Sequence, residues 1–219
     1  MNWNRFDLAA FLVVLFSFLA SLYYYTVLPD VIVTHWNTQG VANGSMSKEL
    51  GLFLLPVITL ALFVFLKYLP RFDPFGKNYS AFEKEFDIFR LALVAFMTYA
   101  HLLVISVNLG NSLNITQMLA PGFFVLFYSI GNLLPKTKRT YFVGIRTPWT
   151  LSDEVVWNKT QKLAGLLFKI SAFVSLAGFL LPNLAFAFLI APIIISSISL
   201  IAYSFAISKT SKALKKKSV

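Results

Sequence analysis

Of the two histidines in the chain, His101 lies in the middle of a long apolar stretch. An ionisable side chain inside a membrane segment is a candidate functional group, because its charged form is costly there. Asn108 follows seven residues later, on nearly the same helical face. No aspartate or glutamate lies within a predicted span to complete a proton relay. We therefore predict that His101 is neutral and hydrogen-bonded across helices, to Asn132 or Tyr128. A functional role for His101 stays open.

A second candidate site is the run His35, Trp36 and Asn37, which the turn-forming residues Thr38-Gln39-Gly40 follow. A histidine beside an aromatic ring suits the docking of a peptide or a lipid headgroup. The alternative is that Trp36 marks the membrane interface and His35 caps local backbone. One histidine does not make a zinc site, which takes three or four protein ligands. We predict a binding site here and no metal.

Residues 131–157, GNLLPKTKRTYFVGIRTPWTLSDEVVW, form the most conspicuous polar interruption of the chain. Gly144 permits an unusual backbone angle, and Pro148 restricts Thr147 to an extended conformation. Arg146 is held between these two turns. Its planar guanidinium suits a lipid phosphate, a helix C-terminus or a cytosolic partner. The alternative is that Arg146 caps neighbouring helix carbonyls and is structural.

The same stretch predicts the start of a helix. Ser152, followed by Asp153 and Glu154, is typical of a helix N-terminus with acids at its positive end. The helix is expected to carry Val156, Trp157 and Leu163 toward the membrane and to run into the fifth span.

Sequence motifs of enzymes are missing. The chain has no HExxH, no P-loop, no GxSxG and no cysteine. We therefore predict that the protein is not an enzyme and takes no cofactor. A membrane enzyme that uses Arg146 with Asp153 or Glu154 stays open as an alternative.

The composition requires a membrane to position these groups. The 219 residues are 58% hydrophobic and only 13% charged, which is too apolar for a soluble domain of this length. Apolar runs of about 20 residues match the helix length that crosses a bilayer. Six spans are predicted: Leu8–Val27, Leu50–Leu69, Ile88–Leu109, Ile115–Leu134, Leu163–Leu181 and Leu184–Ile207.

Lysine and arginine set the expected orientation. All of the 19 basic residues except Lys48 lie at the termini, in the second and fourth loops or near the span ends that adjoin them. The positive-inside rule then places both termini in the cytoplasm and the loop 28–49 outside. The fold class predicted is an all-α integral membrane protein of the cell membrane, with short interfacial helices in the cytoplasmic loops. The net charge of +10 suits anionic lipid headgroups rather than nucleic acid, and the tail from Lys212 is expected to lie on the membrane surface.

Prolines recur at similar depths in the spans that start outside. Pro56 and Pro121 lie about two turns inside the second and fourth spans, and Pro192 lies at a similar depth in the sixth. A proline removes a backbone hydrogen bond and kinks a helix. One hypothesis is that these kinks open a shallow outward-facing cleft; the alternative is that prolines are simply common in membrane helices.

The chain reads as a single membrane domain, 1–219. Within it we expect an amino-terminal helical hairpin, 1–70, and a four-helix remainder, 88–207, that carries a cytoplasmic loop, 135–162. Between them, Phe82, Phe86 and Phe89 recur at helical spacing among charges, which predicts an interfacial helix leading into the third span.

Two segments resemble the SdpI family of bacterial membrane immunity proteins. Leu28-Pro29, His35-Trp36-Asn37 and Gly40 are similar to the family's amino-terminal module. The run Gly144-Ile145-Arg146-Thr147-Pro148-Trp149-Thr150-Leu151, with Asn132 before it and Trp157 after it, resembles the family's signature. We therefore refer to residues 135–162 as the signature loop. The chain departs from the family at Thr140, where asparagine is usual, and at Gln161, where histidine is usual.

The resemblance implies a multi-span protein that protects the cell from a secreted, membrane-active peptide toxin. It also implies that a cytosolic repressor can be held at the membrane by such a protein. On this interpretation the toxin contacts His35, Trp36 and Asn37 outside the cell. A cytosolic partner or a lipid contacts Arg146, Trp149 and Trp157 on the cytoplasmic side. The alternative is a small transporter or channel that uses His101 and the proline-kinked cleft.

Overall fold

The computed structural model describes the backbone of residues 3–217 and the side chains of residues 3–211. In this range six helices are long and apolar enough to cross a membrane. They are α1 (Arg5–Tyr24), α2 (Lys48–Phe72), α3 (Glu83–Asn108), α4 (Ile115–Leu133), α6 (Glu154–Leu180) and α7 (Ala185–Lys217). The predicted six-helix membrane fold is confirmed. The side of the membrane on which the termini lie stays a prediction, and the tail side chains from Lys212 lie outside the described residues.

The bundle has two distinct ends. At the first, the start of α1 bonds to the end of α2 through Asp7 and Lys67, and the loop before α3 bonds to the loop after α4. We call this the basic end. At the opposite end, Asn108 at the close of α3 bonds to the connection between α1 and α2. We call this the hairpin end, because that connection is a β-hairpin.

The hairpin is a feature that the sequence analysis did not predict. Strand β1 (Val31–Trp36) pairs antiparallel with β2 (Ala42–Ser47), with irregular register around His35. The β-branched run that begins β1 favours a strand, and Gly40, at φ 78°, lies in the reversal. Ile32 is fully buried against Leu28, Leu52 and Ile105, which anchors the hairpin on the helices.

Short helices occupy the loops of the basic end. A 3₁₀ helix spans Gly76–Ala81, another spans Leu134–Lys136, and α5 covers Pro148–Ser152; at the hairpin end a third 3₁₀ helix, Pro182–Leu184, precedes α7. The helix predicted to lead into the third span is the first part of α3 itself. α3 is continuous from Glu83, and Phe82 and Phe86 are buried against Tyr79, Leu133 and Val143. These rings therefore pack inside the protein because the two loops of the basic end cover them.

Helix α3 lies between two groups of helices. It packs against α1, α2 and α4, while α6 packs between α4 and α7. α4 and α6 approach closely at Gly131, where a Cβ would lie 3.0 Å from the Gly165 carbonyl oxygen. Small residues at such crossings are typical of membrane helix pairs. The prolines Pro56, Pro121 and Pro192 lie inside α2, α4 and α7, and a shared kink stays a prediction, as does the division into 1–70 and 88–207.

Candidate functional site

The signature loop folds around Gly144. Its φ of 118° lies in a region that side chains rarely adopt. A Cβ at this position would lie 2.8 Å from the Trp157 ring and 3.2 Å from Gln161 Oε1. Glycine is therefore required twice, once by the backbone angle and once by the approach of the indole. The unusual angle that the sequence predicts is confirmed.

Trp157 fills the interior beneath this turn. Its side chain is fully buried, and its indole N–H donates to the Thr137 carbonyl oxygen at 3.0 Å. The expectation that Trp157 faces the membrane is therefore wrong, because the loop folds back over α6 and encloses the ring. The helix start is also shifted by one residue. α6 begins at Glu154, and Asp153, not Ser152, accepts hydrogen bonds from the amides of Val155 and Val156.

The two positions that depart from the SdpI pattern both hold the backbone of this loop. Gln161, 1% exposed, accepts from the Ile145 amide at 2.9 Å and donates to the Ile145 carbonyl at 3.0 Å. Thr140 is fully buried, and its hydroxyl donates to the Val143 carbonyl at 2.6 Å. Both substitutions thus occupy structural positions in which their own hydrogen-bonding groups are satisfied.

The stretch after Arg146 ties the loop to α7. Thr147 has φ −118° and ψ 162°, as Pro148 predicts, and it forms a reciprocal capping box with Thr150 at the start of α5. The Thr147 hydroxyl also donates to Ser204 Oγ at 3.1 Å. The Trp149 ring packs on Phe205 at 5.0 Å between centroids. Two contacts on one face of α7 therefore fix the position of α5.

Arg146 is exposed, in contrast to half-buried Ile145 before it and buried Thr147 after it. It donates through Nη1 to the Tyr141 carbonyl at 2.5 Å. That bond uses one of the five guanidinium N–H groups of this exposed side chain. Tyr141 and Phe142 are also exposed, at 45% and 43%. Asn132 is half-buried in α4 and lies apart from this surface.

Asp73 joins the second loop to the signature loop. One of its carboxylate oxygens accepts from the Tyr141 and Phe142 amides, at 2.9 and 3.3 Å, and from the Tyr79 hydroxyl at 3.1 Å. Burial, and then the negative charge of Asp73, raise the pKa of Tyr79. Tyr79 therefore stays protonated and donates its hydrogen bond throughout the physiological range.

A buried network of charges links the first three helices at the basic end. Asp7, 1% exposed, pairs with Lys67 at 2.8 Å and with Arg90 at 3.0 Å, and Arg90 also pairs with Asp87. Asn4 caps α1 and donates to Asp87 at 2.6 Å. This network was not predicted from the sequence, because Lys67 and Arg90 also fit the charge bias that sets the expected orientation. A usable signal was present: Lys67 lies inside an apolar run, where it needs a carboxylate partner.

At the hairpin end, the three predicted binding residues lie together at the tip of β1 and in the turn after it. His35 is exposed, and its Nδ1 bonds to Asn43 Oδ1 at 2.6 Å. Trp36 is partly buried against Leu103, Val104 and Ile115. Asn37 accepts from the amides of Gln39 and Val41 at 3.0 and 2.9 Å and thereby shapes the turn.

These three residues also line an open cavity of about 620 Å³. Its remaining walls come from α2, α3, α4 and α7, including Leu55, Val104, Leu119, Phe123 and Leu189. Volume and a largely apolar lining with a few polar groups are typical of ligand sites between the helices of a bundle. The cavity is therefore the part of the hairpin end that has the form of a binding site.

The two intramembrane polar residues have separate structural partners. His101 is fully buried, and its Nε2 forms a hydrogen bond with Ser21 Oγ in α1 at 2.9 Å. The predicted partners Asn132 and Tyr128 are wrong, because α3 presents this face to α1 rather than to α4. Asn108 accepts from the Val33 amide at 2.7 Å and donates to the Val33 carbonyl at 2.9 Å. Among the described residues no three histidine, aspartate or glutamate side chains converge as a metal site.

Comparison with known proteins agrees with the resemblance in the sequence. The model of the SdpI/YfhL protein family matches residues 136–204, and a domain of unknown function, DUF1648, matches residues 12–60. Immunity protein SdpI of Bacillus subtilis (strain 168) is 27% identical over 171 residues, which cover 77% of this chain and 78% of that protein. No solved structure matches the chain significantly. The similarity to the SdpI family is thereby confirmed.

Proposed function

We propose that this multi-pass cell-membrane protein, which is similar to the SdpI family, is an immunity protein. It protects the cell against a secreted, membrane-active peptide toxin. The observation that carries the proposal is the extent of the match to Immunity protein SdpI, which covers about three quarters of each chain. The match is longer than the 136–204 segment, so the likeness is not confined to the signature loop.

The two ends of the bundle support a division of labour. With the orientation that the basic residues predict, the hairpin and its cavity face outward, where a secreted peptide arrives. The signature loop then faces the cytoplasm. The cavity at the outer end is a concave apolar surface of about 620 Å³, larger than the cavity of about 390 Å³ beside Gly144 and Arg146 at the inner end. Toxin recognition therefore belongs to the hairpin end.

Deletion of the gene tests the immunity role. The probe is the peptide fraction of medium conditioned by wild-type cells, with a protease-treated portion of the same fraction as the control. We expect the deletion strain to die in the active fraction, to survive in the treated one, and to be rescued by the gene on a plasmid. Equal survival of deletion and wild-type cells in the active fraction would contradict the proposal.

We further propose that the signature loop holds a cytosolic repressor at the membrane. Support comes from the exposure of Arg146, Tyr141 and Phe142 on a loop whose backbone is otherwise fixed by buried groups. A rigid loop with an exposed cation and two exposed rings suits a protein partner, since arginine and aromatic residues are enriched at interfaces. Tagged protein from toxin-treated membranes should retain a DNA-binding protein that the R146A variant releases. Equal recovery with both proteins would contradict this part of the proposal.

The alternative of transport through His101 gains no support from the cavity. Ala100 and Val104 line the cavity, but His101 is not one of its lining residues and bonds to Ser21 of α1. The absence of an enzymatic activity stays a prediction from the sequence motifs.

A further inference from the structure

The cavity at the hairpin end has a polar rim and an apolar floor. The rim is formed by β1 and its turn, with Thr34, Asn37 and Thr38, together with Thr116 at the start of α4. The floor and sides are the apolar side chains of four helices. Phe186 of α7 both lines the cavity and is 43% exposed, so the cavity opens beside the start of α7. An amphiphilic ligand can therefore enter from the side as well as from above.

The rim carries unused hydrogen-bonding groups. Within the described residues, the hydroxyls of Thr34, Thr38 and Thr116 take part in none of the side-chain hydrogen bonds, although those residues line the cavity. The Asn37 side-chain oxygen is occupied by two backbone amides, which leaves its NH₂ group as a donor. A bound molecule with both donors and acceptors would satisfy these groups, and each such bond contributes about 0.5–1.5 kcal/mol.

The residue types that line the cavity limit which amphiphilic ligand it can bind. None of its lining residues is a lysine, arginine, aspartate or glutamate. Lys48, the only lysine or arginine at the hairpin end within residues 3–211, already pairs with Asp30 at 2.9 Å. A phospholipid headgroup suits lysine or arginine for its phosphate, and the lining has neither. A stretch of peptide backbone needs only neutral donors and acceptors, which the threonines and Asn37 supply.

We propose that this cavity binds an uncharged apolar segment of the peptide toxin. The backbone amides of the segment bond to the threonine hydroxyls and to Asn37 at the rim, and its apolar side chains lie against Leu119, Phe123 and Leu189. This inference rests on the proposed immunity function and assigns the site that performs it. Capture removes the apolar segment from the bilayer, because the same side chains cannot occupy the cavity and the lipid at once.

The absence of cysteine from the chain allows a direct occupancy test. A single L119C variant places a thiol in the cavity wall, and I198C places one on an exposed face of α7. Both are labelled with a neutral maleimide in membranes, with and without the conditioned peptide fraction. Peptide at ten times its Kd should slow labelling of L119C about tenfold, as single-site occupancy requires, and should leave I198C unchanged.

Filling the cavity tests its part in protection. A100F puts a ring into the cavity, and A187F makes the same change at an exposed position of α7 at the same end of the bundle. We expect A100F cells to lose protection against the peptide fraction and A187F cells to keep it, with equal amounts of protein in the membrane. If A100F does not accumulate, the labelling of L119C decides.

The outcomes separate the two proposals. If wild-type protein gives no protection, the immunity function fails, and the toxin site fails with it. If wild-type protein protects, while A100F protects equally and the peptide leaves L119C labelling unchanged, immunity stands and this site is overturned. Slow labelling of L119C in the absence of peptide, relieved when the protein is moved from membrane to lipid-free detergent, identifies a lipid occupant and also overturns the inference.

Discussion

At each end of the molecule one side-chain amide bonds to both the N–H and the C=O of a single residue, an arrangement that we call an amide clamp. The two amide clamps lie in different surroundings. At the hairpin end, the Asn108 amide bonds to both the N–H and the C=O of Val33. At the basic end, the Gln161 amide bonds to both backbone groups of Ile145. Gln161 is 1% exposed and lies beside buried Trp157, whereas Asn108 is half-buried near an open cavity. The amide at the basic end is therefore enclosed by protein, whereas the amide at the hairpin end lies where water reaches it more easily.

The ion pairs repeat this contrast. The basic end buries Asp7, Lys67 and Arg90 together, while the Lys48–Asp30 pair of the hairpin end leaves the Asp30 side chain 98% exposed. A buried charge that loses its partner remains desolvated, but an exposed one returns to water. Matched substitutions at the two ends therefore measure how far the ends differ.

The largest effect is expected at Asp7. D7N removes the carboxylate that Lys67 and Arg90 share, and we expect it to lower the free energy of unfolding by about 3–5 kcal/mol, as loss of one partner in a buried pair does. The matched change at the hairpin end, D30N, breaks an exposed pair and is expected to cost at most about 1 kcal/mol. Unfolding in mixed micelles measures both.

A double variant checks the cause. D7N combined with K67Q removes one charge of each sign from the network, so it should be more stable than D7N alone. If D7N and D30N were equally mild, the network would not be the element that joins α1 to α2 and α3, and the proposed contrast between the ends would fail.

The second effect separates backbone strain from packing. Gly144 and Gly110 both have positive φ, 118° and 94°, but a Cβ at Gly110 would meet nothing within 4 Å. G110A is expected to cost about 1–2 kcal/mol for the left-handed backbone alone. G144A adds the contact with Trp157, and we expect a total of about 3 kcal/mol once overpacking is included. Thermal unfolding of the two variants in detergent measures the difference, and equal losses would show that Trp157 yields to the added methyl.

The sequence could predict the features that a membrane or a single residue imposes locally. Six apolar runs gave six helices, because a bilayer fixes helix length. The angles at Gly144 and Thr147 followed from Gly and Pro themselves. The buried network could not be predicted in this way, since Asp7 and Lys67 are 60 residues apart. Basic residues at span ends satisfy the positive-inside rule whether they are solvated or paired.

The partners of polar groups likewise depend on which helices meet. His101 was expected to bond toward α4, and it bonds to Ser21 because α3 turns that face to α1. The hairpin was missed because an isolated two-stranded hairpin is marginal in water. Here Ile32 and Asn108 anchor it on the bundle. The candidate residues His35, Trp36 and Asn37 could be named from sequence, but the cavity they line needs four helices.

The third effect compares the two amide clamps directly. Q161L leaves the Ile145 N–H without its partner beneath the loop, while the Ile145 C=O keeps the bond from the Thr150 hydroxyl, and we expect a cost of about 2 kcal/mol. N108L frees the Val33 groups, which water can reach more easily, so about 1 kcal/mol is expected. Hydrogen exchange of the Val33 and Ile145 amides reports each clamp separately. We expect N108L to speed exchange in the hairpin while the signature loop keeps its protection, and a reversed order of losses would contradict the comparison.

The smallest effect on stability is expected at Arg146, and it bears most directly on function. R146A removes an exposed side chain with one hydrogen bond to the Tyr141 carbonyl, so the free energy of unfolding should change by about 0.5 kcal/mol or less, as for other surface substitutions. Membrane insertion and the labelling of L119C should be unchanged, because the cavity lies at the other end. Loss of the retained DNA-binding protein with normal insertion makes Arg146 a contact residue of the basic end. Loss of insertion would instead make Arg146 a structural residue. The R146K variant distinguishes a contact role from a structural role, because lysine keeps the positive charge but lacks the planar guanidinium that a partner would bind.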